Sequence, residues 1–272
     1  MLTLRLLGGA SLLGPDGPLG GRVAQRRRVA LLALLDAGRG RPVARDKLIA
    51  LLWPEADTER ARHLLRDSLY VVRTALGEDV VLSAGDDLRL DSARLASDAS
   101  RFEARLDAAD PLAAVALYGG PFLDGVHLTD APEFERWVDD ERARLARRQA
   151  RALEQLAAAA TAGGDHAAAV EWWRRAAAHD PLDDLVALQL AEALLAAGRR
   201  GRALAHVEAH ARRVAAELGA PPDPALRLMA ARLRTPETGT VAHPGPAASD
   251  SAPRPSTPAT AVPARVPARV PA

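Results

Sequence analysis

The stretch from residue 57 to residue 90 constrains this chain more than any other. Asp57 or Thr58 can cap a helix that runs to Leu76, and Gly77 ends it. Along that helix Ala61, Leu65, Leu69, Val72 and Leu76 form one apolar stripe, widened by Leu64 and Ala75, so one side is built for a core. The period then drops from helical to strand-like. Val80-Val81-Leu82 and Leu88-Arg89-Leu90 flank the turn Ala84-Gly85-Asp86-Asp87, which predicts a β-hairpin. The outward side of the helix carries Arg62, His63, Arg66, Tyr70, Arg73 and Thr74. Arg pairs bidentately with guanine in the major groove, and Tyr or Thr reaches phosphates. Taken alone, the same face reads first as a solvated amphipathic surface, with Arg66 and Asp67 in surface ion pairs.

The residues upstream narrow this. Leu2 to Leu7 alternates as a strand, Gly8-Gly9 breaks it, and Ala10 to Leu13 resumes. Pro15-Asp16-Gly17 reads as a hairpin turn, with a short third strand over Arg22 to Ala24. A helix follows from Gln25 to Ala37, ended by Gly38, then a second from Arg45 to Leu52, stopped by Trp53-Pro54. Strands, three helices and a hairpin, in that order, make a winged helix-turn-helix. Arg26-Arg27-Arg28 opens the first helix and reads as a solvated basic face.

The second half is helical throughout. Helices are predicted over Asp110–Tyr118, Pro132–Ala162, Asp165–His179, Asp183–Ala197, Gly201–Leu218 and Pro224–Leu233. Ala162-Gly163 and Ala168 recur 35 residues later as Ala197-Gly198 and Ala203, close to the period of tetratricopeptide (TPR) repeats. Tyr118, Phe122, Phe134 and Trp137 read as core. Trp172 and Trp173 are adjacent on one helix, so one faces inward and the other is half-exposed. Residues 236–272 hold nine of the twenty prolines and end in VPARVPARVPA, a disordered Pro/Ala-rich tail by composition. The predicted fold class is mainly α: a winged helix over 1–95, an all-α TPR-like domain over 98–235, and the tail over 236–272.

Composition removes several function classes. Cysteine is absent, so disulfides, thiolate metal sites and cysteine nucleophiles are excluded. No apolar run is long enough for a membrane span and no signal peptide is visible, so a cytoplasmic protein without membrane contact is expected. The chain carries 36 basic and 35 acidic residues, but residues 1–95 hold 15 basic against 12 acidic, a net of +3. Lys47 is the single lysine, so arginine is a habit of composition here rather than a mark of function. His206 and His210 share a helical face without the HExxH pattern and read as a surface pair. No phosphate loop or nucleophile elbow is present. Catalytic residues, metals and cofactors are therefore not expected.

Specific runs carry a resemblance. PVARDKLIALLWPEADTERARHLLRDSLYVVRTALGEDVVLSAGDDLRLD looks like the winged-helix domain of SARP-type regulators (Streptomyces antibiotic regulatory proteins and relatives), themselves similar to OmpR-type DNA-binding domains. The matching features are Leu48, Leu51, Leu52, Trp53, Pro54 and Glu55, the ending LYVVRTALG, and the hairpin. ALYGGPFLDG, APEFERWVDDERARL and HDPLDDLVALQLAEALLAAGRRGRALAHVE resemble the bacterial transcriptional activator domain that follows it. The resemblance spans about residues 2–234. It implies a transcriptional regulator, most simply an activator, that binds duplex DNA as a pair of protomers on direct repeats and engages RNA polymerase, with the TPR-like domain serving dimerisation, polymerase contact or ligand sensing. Carried over by position, Arg62, His63, Arg66, Tyr70 and Arg73 become DNA-face residues. Arg45 and Lys47 become phosphate contacts, and Arg89 the wing contact. Glu55, Ala56 and Asp57 fall in a polymerase-facing loop. The wing tip departs from the pattern, because Gly85-Asp86-Asp87 is acidic where phosphate would approach. The other open reading is an interaction scaffold whose winged helix no longer binds DNA.

Overall fold

A computed structural model describes residues 2–235, which form one compact unit. The predicted tail lies outside the described residues. Three N-terminal strands, Leu2–Arg5 (β1), Ser11–Gly14 (β2) and Gly17–Leu19 (β3), form an antiparallel meander. The third strand starts directly after Pro15-Asp16. Residues 22–24, the predicted strand, instead form the turn into the first helix, because the hairpin register already pairs Leu12 with Leu19.

Helix α1 (Arg26–Ala37) is apolar all round, and its residues from Arg28 to Asp36 are buried, which makes it the central helix of the N-terminal half. Two residues of extended chain, Val43–Ala44 (β4), lead into α2 (Arg45–Leu52). Then come α3 (Thr58–Leu76) and the hairpin Val81–Ala84 (β5) with Asp87–Leu90 (β6). β4 joins the hairpin to make a three-stranded sheet in the order β4-β6-β5.

Because α1 is central, its basic run is not a solvated face. Arg28 is buried. Its guanidinium donates to Asp67 at 2.7 Å and to the Arg22 carbonyl at 2.9 Å. Arg27 donates to the Leu52 carbonyl at 3.0 Å, supplying a cation to the unpaired C-terminal end of α2, and pairs with Asp130. Arg26 alone is exposed.

The N-terminal sheet closes only with residues far along the chain. Leu95–Ser97 (β7) pairs in parallel with β1, Leu2 beside Leu95, giving the order β3-β2-β1-β7. The Asp98 carboxylate then extends that ladder, accepting from the backbone N–H of Leu6 at 2.7 Å and of Leu7 at 3.2 Å. Ser97 caps α4 (Asp98–Asp107) through the Ser100 N–H. After α5 (Pro111–Leu117), the loop at 119–123 packs against residues 6–9. Leu123 N–H donates to the Leu6 carbonyl at 2.8 Å, and Gly8 N–H to the Pro121 carbonyl at 2.9 Å. This approach requires glycine. Gly8 has φ +80°, and a Cβ there would sit 2.7 Å from the Gly119 backbone.

The C-terminal helices are α6 (Pro132–Ala162), α7 (His166–His179), α8 (Asp184–Ala196), α9 (Arg200–Leu218) and α10 (Pro224–Arg234). Each packs mainly on its sequence neighbours, as stacked helix pairs do. α6 is about 46 Å long at 1.5 Å per residue. Its first half gives Phe134, Val138 and Leu145 to the core shared with the winged helix, and its second half gives Ala152, Leu153 and Ala157 to the core of the helical repeats. Phe122 and Phe134 are fully buried, with Tyr118 and Trp137 packed half-buried against them. Trp173 is core and Trp172 half-buried, with Arg175 stacked 4.9 Å over its ring. His206 and His210 are not a surface pair. His210 is buried with Nε2 2.6 Å from the Asp184 carboxylate, and His206 Nε2 meets the Ala187 carbonyl at 3.1 Å. Burial holds the His206 imidazole below its usual pKa.

A buried carboxylate ties α1 to α4. Asp36 accepts from the Ser97 hydroxyl at 2.6 Å and from Ser100 at 2.9 Å, and burial pushes its pKa up to about 6. In the unfolded chain it ionises near pH 4. Between those values the folded state holds the proton and the unfolded state does not, so stability falls as pH rises from about 4 to about 6. The Asp36→Asn variant is expected to lose that part of the slope and to be the more stable protein at pH 7.5, by up to ~3 kcal/mol. Urea midpoints of both proteins from pH 4 to 7.5 check this. Parallel curves would show that Asp36 is not the titrating group.

Candidate nucleic-acid interface

α3 is held from both ends. Asp57 caps it, accepting from the Arg60 N–H at 2.9 Å, with Glu59 in the first turn and Arg73 in the last, each suited to the helix dipole. Ala61, Leu65, Leu69, Val72 and Leu76 are buried as the stripe predicts. Ser68 and Val71 join them, while Leu64 is half-buried and Ala75 exposed. Arg62, His63, Arg66 and Tyr70 therefore project to solvent, Tyr70 with 68% of its surface exposed.

The ion pairs on this helix differ from those expected of a plain amphipathic surface. Asp67 is taken by Arg28 and Arg22 from the far side. Arg66 is left with no ion pair or hydrogen bond among the described residues, as are His63 on the same helix and Lys47 on α2. Arg62 is near Glu59 at 4.0 Å, a loose exposed pair. A guanidinium with no internal partner keeps all five donors for a ligand.

Arg73 and Arg45 sit differently. Arg73 points at the wing, and Nη2 donates to the Val81 carbonyl at 2.8 Å and to Ser83 Oγ at 3.2 Å. Arg45, at the start of α2, donates to the same Ser83 Oγ at 3.2 Å, and its backbone N–H reaches the Asp86 carbonyl at 3.4 Å. Both are half-buried and fix the wing against α2 and α3. Sequence reasoning missed Ser83, because partners 10 and 38 residues away leave no local signal. Arg89 lies half-buried on β6 opposite Leu82, on the hairpin flank rather than at its tip.

Between α2, α3 and the wing turn lies an open cleft of about 370 Å³ floored by Ile49 and Leu65. Arg45, Arg62 and Arg66 line it, and so do Asp46, Asp86 and Asp87. Basic and acidic groups thus alternate around one opening. Phosphate is drawn to the α3 side and repelled from the wing turn, where Gly85 (φ +63°) makes the tight corner. In the loop between α2 and α3, Ala56 packs half-buried, and Glu55 and Asp57 are both exposed. The Asp57 carboxylate is spent on the cap, which leaves Glu55 as the exposed carboxylate not engaged there.

The bacterial transcriptional activator domain family matches residues 83–234, from the wing hairpin to the end of α10. The chain belongs to the bacterial transcriptional activator domain family. Its winged helix precedes the activator domain, as in SARP-type regulators. The likeness extends beyond the family domain: the structure resembles Mycobacterium tuberculosis EmbR, solved in complex with a low affinity phosphopeptide, with a TM-score of 0.66 and 25% identity over 85% of this chain. The chain spans 64% of the length of that relative. Comparison with curated protein sequences gives no match. Among the described residues of this activator-domain protein, no helix is long and apolar enough to cross a membrane.

Proposed function

We propose that the chain is a SARP-type transcriptional activator that binds duplex DNA in the cytoplasm through α3 and works by recruitment, without covalent chemistry. The observation that carries this reading is the unpaired Arg66, beside His63, Arg62 and Tyr70, on the outer face of a helix whose other face is buried. α3 enters the major groove with Arg66 and Arg62 toward base edges and Tyr70 toward the backbone. Lys47 meets a phosphate beside the groove, and Arg45, Arg73 and Arg89 meet the backbone along the wing. Glu55 leads the loop offered to RNA polymerase, with Ala56 and Asp57 shaping it. Two protomers occupy direct repeats, with the helical repeats joining them.

The first test is selection of duplexes from a random library by the full chain, followed by affinity against salt. An enriched motif with a steep fall of log K on log salt supports the reading. Arg66→Ala is expected to cost ~1–3 kcal/mol on the selected site and to relax one base position. Lys47→Ala is expected to weaken all sequences alike and to lower the salt slope by about one. Both are read by titration on the selected and scrambled duplexes, and unchanged binding in both variants would refute the DNA face.

A second reading has one observation in its favour. Asp46, Asp86 and Asp87 surround the cleft beside α3, which suits a scaffold whose helical repeats carry the function. Library selection without enrichment, with only weak salt-sensitive binding, would support it.

A further inference from the structure

Ser83 is an exposed residue on β5, two positions before the turn glycine, and β5 is the edge strand of its sheet. Its hydroxyl oxygen accepts one N–H from Arg45 and one from Arg73, each at 3.2 Å. The Arg73 guanidinium does not swing free, and Arg45 reaches out from a tethered backbone. Arg73 is fixed on the Val81 carbonyl, and the Arg45 backbone on the Asp86 carbonyl. Two cations from two different helices are thus pre-positioned over one neutral oxygen. A hydroxyl offers them two lone pairs, while the two guanidiniums carry ten N–H donors between them. A phosphate on that oxygen would bring three further acceptors and a charge of about −1.5 to −2 to donors already in place.

We propose that Ser83 is a phosphoacceptor and that its phosphorylated form is an off state for DNA binding. The seat follows from the geometry alone, and the off state rests on the DNA reading given above. In the step, a serine/threonine protein kinase takes the hydroxyl proton, and Ser83 Oγ attacks the γ-phosphorus of a nucleoside triphosphate. The new O–P bond forms as the bond from that phosphorus to the β,γ-bridging oxygen breaks. The nucleoside diphosphate leaves and the proton passes to solvent. An edge strand, with one side of its backbone unpaired, lets such an enzyme reach the serine. Once attached, the phosphate draws Arg45 and Arg73 onto itself and adds negative charge beside Asp86 and Asp87. It reduces the net +3 of residues 1–95 to roughly +1. The DNA backbone is then repelled from the wing side of the cleft. A DNA backbone phosphate is the other source of the same chemistry between these two arginines, and the experiment separates the two.

Phosphoserine is encoded at position 83 in the full chain, and its phosphate is titrated by ³¹P resonance without DNA. The expected second pKa lies below the value of about 6 for a free phosphomonoester, and the Arg45→Gln, Arg73→Gln double variant returns it there. A value near 6 in both proteins overturns the seat. On the duplex selected by unmodified protein, the phosphoserine form is expected to bind at least tenfold more weakly, with a salt slope smaller by about 1.8, or two lost phosphate contacts. Phosphatase treatment restores binding. Equal binding overturns the off state. If the unmodified chain selects no duplex, the off state falls together with the DNA reading, and the titration still decides the seat. Mass spectrometry of the chain recovered from its own cells is expected to find phosphate on Ser83. A peptide unmodified through all growth stages, with Ser83→Ala weakening DNA binding instead, overturns the phosphoacceptor and assigns the seat to the DNA backbone.

Discussion

Phe122→Ala is expected to destabilise the protein by about 3–5 kcal/mol, the range for emptying a fully buried aromatic site. Phe122 is 1% exposed and bridges to Leu7 and Gly9 in the link between β1 and β2, with its ring edge-on to Trp137 at 5.8 Å. Arg142 holds the backbone from behind, donating to the Phe122 carbonyl at 2.8 Å and to the Leu123 carbonyl at 2.9 Å. The void would open where the loop from the activator domain is stitched to the winged helix. Two-sided stitching of this kind cannot relax by closing one wall onto the other, which favours the upper part of the range. Thermal unfolding followed by tryptophan fluorescence and by far-ultraviolet circular dichroism measures it. A single coincident transition is expected in the parent. In the variant the two probes separate, as the two cores lose their shared boundary. A loss under 1 kcal/mol would mean that the loop is not part of the core.

Glu103→Gln is the second large effect, about 1.5–3 kcal/mol, because it removes the one buried charge that three partly exposed arginines share. Glu103 is 3% exposed on α4. It accepts from Arg148 at 2.8 Å and from Arg144 on α6, and Arg39 of the loop after α1 lies at 3.7 Å. Asp107 holds the second ends of Arg39 and Arg148, the latter at 2.6 Å. Burial alone would raise the Glu103 pKa. The hydrogen bonds and charges of Arg144, Arg39 and Arg148 outweigh burial and leave it below the ordinary carboxylate value. A lowered carboxylate contributes stability above its unfolded pKa and loses it as pH falls through the folded one. The deficit of the Gln variant should therefore be full at pH 7 and shrink in acid, opposite in sign to the Asp36 effect. Urea midpoints at pH 7 and pH 3.5 test both size and sign. A deficit that persists unchanged in acid would point to packing rather than charge.

The two carboxylates also show where the sequence stops being informative. The helices of residues 132–234 were legible to within about a residue, because four of the five begin at an Asp or Pro and α9 follows the glycine turn at Gly198. α3 was legible for the same reason, and its periodic stripe identified the outward residues. β7 and α4 were not. LAS is too short to show a period, and its partner is the first strand of the chain. Arg26-Arg27-Arg28 looked solvated because a local reading cannot see that α1 is wrapped on all sides. Arg73 looked like a reader of bases because Val81 and Ser83 come back to it only after the chain turns at Gly77. Of the residues proposed to face DNA, periodicity gave those that point outward on α3. Those that brace the wing needed coordinates.

The pairing of the first strand with residues far downstream has a consequence for how the chain is made. β1 leaves the ribosome before its partners: Leu2 to Leu4 meet their parallel strand only after residue 97 emerges, and Leu6 waits for Leu123. At about 5–20 residues per second, roughly 6–24 s of synthesis separates the two ends of that contact. The N-terminal meander spends this interval with one edge open, and its glycines at positions 8 and 9 and its short strands limit what else can pair with it. A gene fragment stopping at residue 95 would therefore yield a winged helix arrested in that open-edged stage.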